Sequence, residues 1–451
     1  MRPQRHDTIA AIATAPGPGA VAIVRLSGPR ALDIAAAVFD GTVRLDEVPS
    51  HTVHLGRART TGGDALDEVL ATVMRAPASY TTEDVVELGC HGGAVAARAV
   101  LDACLAAGAR PARRGEFTER AFFGGRMDLV QAEAVADLVA ARTRRGLAAA
   151  LGQLEGTLSS RLERLRESLL NYRADVETLV DFDADDIGGP DVEGAVAAGE
   201  STLEELEELL KGARLGTAVR DGLSAAVVGR PNVGKSSLMN AFLGRDRAIV
   251  TETPGTTRDI IEEVADVCGV PVRLIDTAGW RDAREPAEAA GVSRSRAAAR
   301  GADVVLHVFD LADGWTDGDA AVARELDNDR VIVVGNKNDL PEDRRTRPCP
   351  RAFVSVSALT GDALPALAEQ IVRLGAGPGE SATVTNTRHV DALRRARDAV
   401  GRSLGQLRGA GHPELAALEA SEAADALGEI TGETTPDDVL RAIFDRFCVG
   451  K

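Results

Sequence analysis

The chain has 451 residues, a net charge of −17 and 44% hydrophobic residues. One hydrophobic core rarely serves a chain of this length, so we expect several domains. The acidic balance argues against non-specific binding to nucleic acid, because phosphate contacts need positive charge. The sequence shows no signal peptide, no apolar run of membrane-spanning length and no metal-ligand spacing among its five cysteines. These features predict a cytoplasmic protein without disulfide bonds or a membrane span.

Residues 1–118 alternate short β-like runs with helical stretches. TIAAIA and AVAIVRLSG flank the turn sequence PGPG and predict strands, as do HTVHLGRA, EVLATVMRA and EDVVELGC. ALDIAAAVF and AVAARAVLDACLAAGA have helical spacing. The segment is therefore predicted to be an α+β domain.

The remaining chain changes pattern twice. Residues 119–218 and 381–451 show apolar residues at helical spacing, whereas residues 219–380 alternate strands and helices. Each helical block has an apolar face that must be buried, and the two blocks can bury these faces against each other. The ends of an α/β domain often lie close together, which permits its insertion into another domain. We expect an α/β domain inserted into a discontinuous helical domain.

A glycine-rich loop follows the apolar run LSAAVV and precedes a helical stretch. The loop GRPNVGKS, residues 229–236, matches G-x-x-x-x-G-K-[ST], whose backbone N–H groups hold phosphates at a helix N-terminus. Lys235 would contact the β- and γ-phosphates, and the Ser236 hydroxyl would bind magnesium. The nucleotide contacts predicted in this loop are Asn232, Val233, Gly234, Lys235, Ser236 and Ser237.

Two motifs after the loop belong to the same kind of site. VRLIDTAG predicts a strand that ends at Asp276, the Walker-B acid, and Gly279 would offer an N–H to the γ-phosphate. TPGTTRD lies where a switch loop is expected, and Thr257 would be its magnesium ligand. The nucleotide contacts predicted here are Thr251, Glu252, Thr253, Pro254, Gly255, Thr256, Thr257, Asp276, Thr277, Ala278 and Gly279.

The tetrapeptide NKND follows the strand-like run VIVVG and predicts a guanine site. Asp339 can accept two hydrogen bonds from the N1–H and the amino group of guanine, a donor pair that adenine lacks. Lys337 would lie along the loop, and Asn336 would brace it. The last base-contacting loop is predicted at Ser357, Ala358 and Leu359. Together the motifs predict a P-loop GTPase domain of Ras-like α/β fold that binds GTP and Mg²⁺.

The hydrolytic water needs a positioning group other than the usual glutamine. Trp280 occupies the place where many GTPases keep that glutamine, so another polar side chain must take its role. The nearby candidates are Arg281, Asp282, Glu285 and Glu288. Asn232 has two open interpretations. Its carbonyl oxygen could hold a monovalent cation that replaces an arginine finger, or it could brace the loop with a hydrogen bond.

Along its whole length the chain resembles the bacterial tRNA-uridine-modification GTPases, the MnmE or TrmE family. The segments that carry the resemblance are DTIAAIATAPGPGAVAIVRLSG, EDVVELGCHGG, GEFTERAF, MDLVQAEAVADLV, DFDADDI, GRPNVGKSS, TPGTTRD, DTAGWRD, ITGETTPDD and FCVGK. The most specific feature is their arrangement, with a GTPase between helical blocks and a C-terminal CVGK motif.

The resemblance implies a potassium-activated GTPase that dimerises and works with an FAD-dependent partner of the MnmG or GidA type. Together they would add an aminomethyl or carboxymethylaminomethyl group to carbon 5 of the wobble uridine of certain tRNAs. The one-carbon unit would come from a tetrahydrofolate derivative, 5-formyl or 5,10-methylene, bound by the α+β domain.

The resemblance also assigns site residues. Glu288 matches the residue that orients the attacking water, and Cys448 matches a catalytic cysteine, with a small buried residue at a helix end as its alternative. The folate-binding positions are Arg25, Glu87, Arg126 and Lys451. The potassium-binding positions are Asn232, Thr251, Thr253 and Thr256.

Two other functions compete with this interpretation. A ribosome-assembly GTPase would have a similar GTPase domain, but it would need a basic RNA-binding appendage that residues 381–451 do not offer. A pure switch or scaffold protein would hydrolyse GTP without one-carbon chemistry. Folate binding would separate the first interpretation from both alternatives.

Overall fold

The computed structural model describes residues 7–181, 191–245, 263–276, 296–326, 328–342, 349–379, 383–409 and 412–451. The chain forms two compact units. Unit 1 comprises Met1–Ala136 and Gly428–Lys451, and unit 2 comprises Asp137–Leu427. The domain limits predicted after residues 118, 218 and 380 remain predictions. In the ranges described, no helix is both long and apolar enough to cross a membrane.

Unit 1 contains a mixed sheet with two helices packed on it. Its strands are β1 (Ile9–Ile12), β2 (Val21–Ser27), β3 (Phe39–Gly41), β4 (Thr52–Arg59), β5 (Ala65–Met74), β6 (Val85–His91) and β7 (Arg110–Pro111), and its first helices are α1 (Ala31–Val38) and α2 (Ala94–Ala106). The strand order is β3-β4-β5-β6-β2-β1-β7, antiparallel except for β1 and β7. The period-2 pattern of β2 buries Val24 and Leu26 in the same apolar core as Ile34 and Val100 of the helices. The strands and helices predicted in this segment are confirmed.

A series of helices follows the sheet of unit 1, as the apolar spacing predicts. These are α3 (Glu116–Phe123), α4 (Leu129–Ala140), α5 (Arg144–Leu154), α6 (Thr157–Asp181), α7 (Val192–Lys211) and α8 (Ala213–Asp221). Thr143 caps α5 by accepting a hydrogen bond from the N–H of Gly146, at 3.1 Å. Most of the acidic segment DFDADDI lies outside the described residues.

The second sheet, in unit 2, has the alternation of strand and helix that the sequence predicts. Its elements are β8 (Leu223–Val228), α9 (Lys235–Arg245), β9 (Glu263–Val267), β10 (Val270–Asp276), β11 (Val304–Asp310), α10 (Asp317–Glu325), β12 (Val331–Asn336), β13 (Val354–Ser355) and α11 (Leu364–Ala376). The order is β13-β12-β11-β8-β10-β9, and only β9 pairs antiparallel. β8 is buried along its whole length at the centre of the sheet, which explains its uninterrupted apolar run.

Three helices complete the described chain: α12 (Thr387–Arg408), α13 (Pro413–Thr431) and α14 (Asp437–Phe444). In unit 2, α12 packs against α7, and the buried Tyr172 of α6 shares a hydrogen bond of 2.6 Å with Ser403 of α12. The two helical blocks therefore supply each other's apolar partner, as predicted. In unit 1, Leu440 and Phe444 of α14 join Ala121 and Leu129 in one core.

Candidate functional site

The glycine-rich loop connects the buried strand β8 to the first turn of α9. Gly229 has φ +148°, and a Cβ there would lie 2.2 Å from the carbonyl oxygen of Val308. Gly234 has φ +94°, and a Cβ there would lie 2.1 Å from Nδ2 of Asn336. Both positions therefore need glycine for space as well as for backbone conformation. The backbone of the loop can approach its neighbours, and a phosphate, more closely than side chains would allow.

Lys235 is held inside this loop. Its Nζ donates hydrogen bonds to the carbonyl oxygens of Gly229, at 3.1 Å, and Arg230, at 2.9 Å. Burial lowers the pKa of the ammonium group, and the negative charge of Asp276 acts in the opposite direction. A phosphate group would supply a stronger acceptor than these two carbonyls.

Two exposed side chains next to the loop carry oxygen atoms of the kind that binds magnesium. Asp276 is exposed at the end of β10, where its Cα pairs with that of Val227 in β8. Ser236 is exposed in the first turn of α9. Carboxylate and hydroxyl oxygens are ligands that Mg²⁺ accepts, so these residues would suit a magnesium ion. The second predicted ligand, Thr257, lies outside the described residues.

Asn336 joins three of the predicted motifs. Its Nδ2 donates to the carbonyl oxygen of Val233 in the glycine-rich loop, at 2.9 Å. Its Oδ1 accepts from the N–H of Ala358, at 3.0 Å. The residue is buried, so these bonds are shielded from water. The loop with Lys235, the NKND loop and the loop starting at Ser357 thus come together, as the sequence predicts.

The side chains around Asp339 form the edge at which a base would lie. Asp339 is exposed, and its Oδ1 accepts a hydrogen bond of 2.5 Å from the Ser357 hydroxyl. Lys337 has φ +71°, and its Nζ contacts Oδ2 of Asp310 at 2.5 Å. Sequence reasoning missed Asp310. The signal was available, because an aspartate ends the buried strand β11 that pairs with β12. Leu359 is 85% exposed beside this edge.

Several predicted residues lie outside the described part of the chain, together with the other candidates for positioning water, Arg281, Asp282 and Glu285. The predicted site residues in this group are Thr251, Glu252, Thr253, Pro254, Gly255, Thr256, Thr257, Thr277, Ala278, Gly279 and Glu288.

A second cluster of predicted residues forms in unit 1. Arg25 of β2 and Glu87 of β6 are cross-strand partners, and Nε of Arg25 donates to Oε1 of Glu87 at 2.7 Å. Nη1 of Arg25 also donates to the carbonyl oxygen of Gly450, at 3.3 Å. Burial lowers the pKa of Lys451, and the positive charge of Arg25 lowers it further. The cluster therefore joins residues that are more than 400 positions apart in the sequence.

Two aromatic rings line this cluster, and sequence reasoning missed both. The guanidinium of Arg126 lies 4.9 Å from the centre of the Tyr80 ring, and that of Arg25 lies 5.6 Å from the rings of Tyr80 and Phe117. Nη1 of Arg126 also donates to the carbonyl oxygen of Tyr80, at 3.0 Å. Burial raises the pKa of the Tyr80 hydroxyl, which hydrogen-bonds Thr118. Cationic groups beside aromatic faces suit a flat ligand that carries carboxylates.

Contacts with Arg114 hold the CVGK segment in place within unit 1. Val449 forms an isolated antiparallel bridge with Arg114, whose Nε also donates to the carbonyl oxygen of Phe447 at 3.0 Å. Cys448 is exposed. The alternative interpretation of Cys448 as a buried residue is therefore wrong, whereas its catalytic role stays a prediction.

Comparison with known proteins identifies the family. Residues 8–126 match the model "GTP-binding protein TrmE N-terminus", and residues 129–448 match "MnmE helical domain". The tRNA modification GTPase MnmE of Chloroflexus aurantiacus is 46% identical over 99% of this chain and 100% of its own length. The proteins of the same name from Symbiobacterium thermophilum and Roseiflexus sp. are 45% and 44% identical over 99% of this chain, and over 100% and 99% of their own lengths.

These matches span almost the whole chain and confirm the predicted fold class. The relatives are GTP hydrolases by name, which agrees with the glycine-rich loop, the magnesium-type ligands and the guanine-type edge described above. The chain belongs to the tRNA modification GTPase MnmE family, and it is an enzyme that binds GTP with Mg²⁺ and hydrolyses it in tRNA modification.

Proposed function

We propose that this GTPase is activated by potassium and acts, as a homodimer, with an FAD-dependent partner protein in the cytoplasm. The pair adds an aminomethyl or carboxymethylaminomethyl group to carbon 5 of the wobble uridine of certain tRNAs. A 5-formyl- or 5,10-methylene-tetrahydrofolate supplies the one-carbon unit. The observation that carries the proposal is the cluster of Arg25, Glu87, Arg126 and the CVGK segment within unit 1.

The chemistry of this cluster fits a folate. A pterin ring is flat and can stack on an aromatic or guanidinium face, such as those of Tyr80 and Arg126. The Glu87 carboxylate can accept hydrogen bonds from the ring N–H groups, and Arg25 holds that carboxylate in place. The ammonium of Lys451 provides a positive charge for the carboxylates of the folate tail. Cys448, exposed two residues before Gly450, is the proposed catalytic cysteine.

In the GTPase domain, the residues of the glycine-rich loop and its neighbours have separate roles. Lys235 exchanges its two carbonyl partners for the β- and γ-phosphates, while Ser236 and Thr257 hold magnesium and Asp276 acts through that ion. Glu288 orients the water that attacks the γ-phosphorus, and the bond to the β-phosphate oxygen breaks. Asn232, Thr251, Thr253 and Thr256 would hold a potassium ion, which would supply positive charge beside the leaving group.

Removal of Lys451 tests the folate site. The deletion should weaken binding of 5-formyltetrahydrofolate by at least about tenfold, because a hydrogen bond to a charged group contributes roughly 1.5–3 kcal/mol. Isothermal titration calorimetry measures that affinity. GTP hydrolysis should stay within about twofold of wild type, since the GTPase site lies in unit 2. Lys211→Ala is the matched control, because Lys211 is an exposed lysine of unit 2 that pairs with Glu208.

The same variants test the proposed reaction in cells. A strain that expresses only the deletion variant should lack the carbon-5 group on its wobble uridines, whereas the Lys211→Ala strain should retain it. Mass spectrometry of digested tRNA measures the modification. Unchanged folate affinity after the deletion would remove Lys451 from the site, and unchanged wobble uridines in a strain without this chain would refute the proposed reaction.

A further inference from the structure

The second residue of the glycine-rich loop, Arg230, points its side chain towards α10. Its Nη2 donates to Oδ2 of Asp313 at 2.9 Å, and its Nε donates to Oδ1 of Asp319 at 3.3 Å. The stem of Arg230 lies on the first turn of α10, where a Cβ at Gly318 would be 2.9 Å from Cδ of the arginine. The glycine-rich loop is thus attached to a helix that contributes none of the predicted nucleotide contacts.

The two carboxylate oxygens of Asp319 have different partners. Oδ2 accepts from the N–H of Thr316 at 2.9 Å and from the Thr316 hydroxyl at 2.6 Å, which completes the capping box of α10. Oδ1 is left for Arg230. The side chain of Asp319 is fully buried, whereas that of Asp313 is 58% exposed. The buried contact is therefore the one that water and salt screen least.

A histidine beside Asp319 does not compete with Arg230 for this carboxylate. Burial lowers the pKa of His307 to about 4, although the charge of Asp319 acts in the opposite direction. His307 is consequently neutral near pH 7. Because the imidazole is neutral, it forms no ion pair with Asp319, and the guanidinium of Arg230 is the cation that contacts this carboxylate.

The backbone of Arg230 belongs to the proposed phosphate site. Its carbonyl oxygen accepts from Nζ of Lys235, and the carbonyl of Val233 at the other end of the loop accepts from Asn336. We propose that Asp319 is a positioning residue for nucleotide binding, which fixes the start of the glycine-rich loop through Arg230. The inference rests on the nucleotide site at residues 229–236. It adds to that site a buried carboxylate that does not touch the nucleotide.

The effect of losing this attachment falls on affinity rather than on chemistry. The apparent dissociation constant equals the intrinsic one divided by the fraction of molecules whose loop is in the binding conformation. If the attachment keeps the loop in that conformation, and its loss leaves about a tenth of molecules there, the dissociation constant rises about tenfold. Bound phosphates then restore the loop by their own hydrogen bonds, so the hydrolysis rate at saturating GTP changes little.

The experiment measures binding of fluorescent GDP and single-turnover hydrolysis of saturating GTP in full-length variants. In Asp319→Asn, the amide oxygen can still serve the cap, but the amide N–H groups then face the N–H groups of Arg230. We expect the dissociation constant to rise about tenfold and the hydrolysis rate to stay within about threefold. Arg230→Met, which keeps the stem over Gly318, should have the same effect. The double variant should bind fluorescent GDP as tightly as either single variant, because each substitution breaks the same contact between Arg230 and Asp319.

Asp313→Asn is the matched control, since it removes the exposed partner of the same guanidinium and should change the dissociation constant less than about twofold. Thermal unfolding of each variant separates positioning from misfolding, because a merely structural role would lower the unfolding temperature without changing the affinity of the folded protein. Additive losses of GDP affinity in the double variant would overturn the proposal. A loss of GDP affinity in Arg230→Met without a loss in Asp319→Asn would also overturn it, and would indicate that the arginine contacts the nucleotide. Binding of fluorescent GDP by wild type is the separate check on the nucleotide site itself.

Discussion

At the scale of single residues, Asp339 is the position on which base recognition depends. Its carboxylate is exposed, and the Ser357 hydroxyl orients it through a hydrogen bond of 2.5 Å. Two oxygen acceptors match the N1–H and amino group of guanine. Asp339→Asn replaces one acceptor by a donor, which suits the additional carbonyl of xanthine. We therefore expect the variant to bind GDP about 10–100-fold more weakly and to prefer xanthosine diphosphate, as measured by calorimetry.

Asp362 provides a control for this prediction. Asp362 is a carboxylate in the same group of loops, and its Oδ2 accepts from Nδ2 of Asn338 at 2.6 Å. Asp362→Asn should keep the preference for GDP over xanthosine diphosphate. Equal GDP affinity in wild type and in Asp339→Asn would show that Asp339 does not read the base.

At the scale of elements, α3 depends on a buried network of charges. Burial raises the pKa of Glu116, but hydrogen bonds from Arg110 and the N–H of Arg113, with the charges of Arg110 and Arg120, outweigh it and hold the pKa at about 2. A carboxylate with a lowered pKa stabilises the folded state above its ordinary pKa of 4.5, and this stabilisation is lost as the pH falls towards 2. The sequence GEFTERAF thus places an acid-sensitive contact at the start of a helix.

Glu116→Gln should show this dependence. At pH 7 the variant should be less stable than wild type by roughly 1.5–3 kcal/mol, the usual contribution of hydrogen bonds to a charged group. The difference should shrink between pH 5 and about pH 2, because wild type loses the charge there. Urea titrations followed by hydrogen exchange of α3 peptides, at matched pH, measure it. Glu119→Gln is introduced into both proteins, because burial and the charge of Glu116 raise the pKa of Glu119 and would oppose the trend. A stability difference between the two proteins that stays constant from pH 5 to about pH 2 would contradict the lowered pKa of Glu116.

The glycine-rich loop is also where the proposed potassium effect can be tested. Asn232 lies in this loop with φ +65° and an exposed side chain, so its oxygen is accessible to a cation. Potassium should accelerate single-turnover GTP hydrolysis roughly 100–1,000-fold, the usual effect of one preorganised charge-stabilising group. Sodium, which is smaller, should not. Glu288→Ala should lose most turnover and retain GTP affinity, because the role proposed for Glu288 is to orient water rather than to hold the nucleotide.

Equal rates in the two salts would refute the cation mechanism. Asn232→Ala should remove the difference between potassium and sodium without preventing nucleotide binding. Glu285→Ala is the comparison for Glu288→Ala, since both remove a carboxylate from the same segment. A loss of turnover in Glu285→Ala with normal turnover in Glu288→Ala would transfer the water-positioning role to Glu285.

At the scale of the whole molecule, sequence reasoning succeeded where the determinants are local. The glycine-rich loop, the NKND loop and the strands before them were predictable because each motif spans only a few residues with a fixed period or turn chemistry. Asp319 was not, because its partner Arg230 lies 89 positions away and the two side chains meet only through the placement of a helix. Tyr80 lies in an irregular segment between β5 and β6, where no period marks a burial face.

The composition of unit 1 has a consequence for how the chain folds as it is made. Residues 1–136 and 428–451 form one unit, although 291 residues of unit 2, from Asp137 to Leu427, separate them. A ribosome therefore releases the whole of unit 2 before Phe444 can join Ala121 and before Gly450 can meet Arg25. Synthesis proceeds at about 5–20 residues per second, so the amino-terminal sheet waits roughly 15–60 seconds for its last partners. Through that interval the apolar side chains of α3 lack the partners that α14 provides, so unit 1, which begins before unit 2, is completed after it.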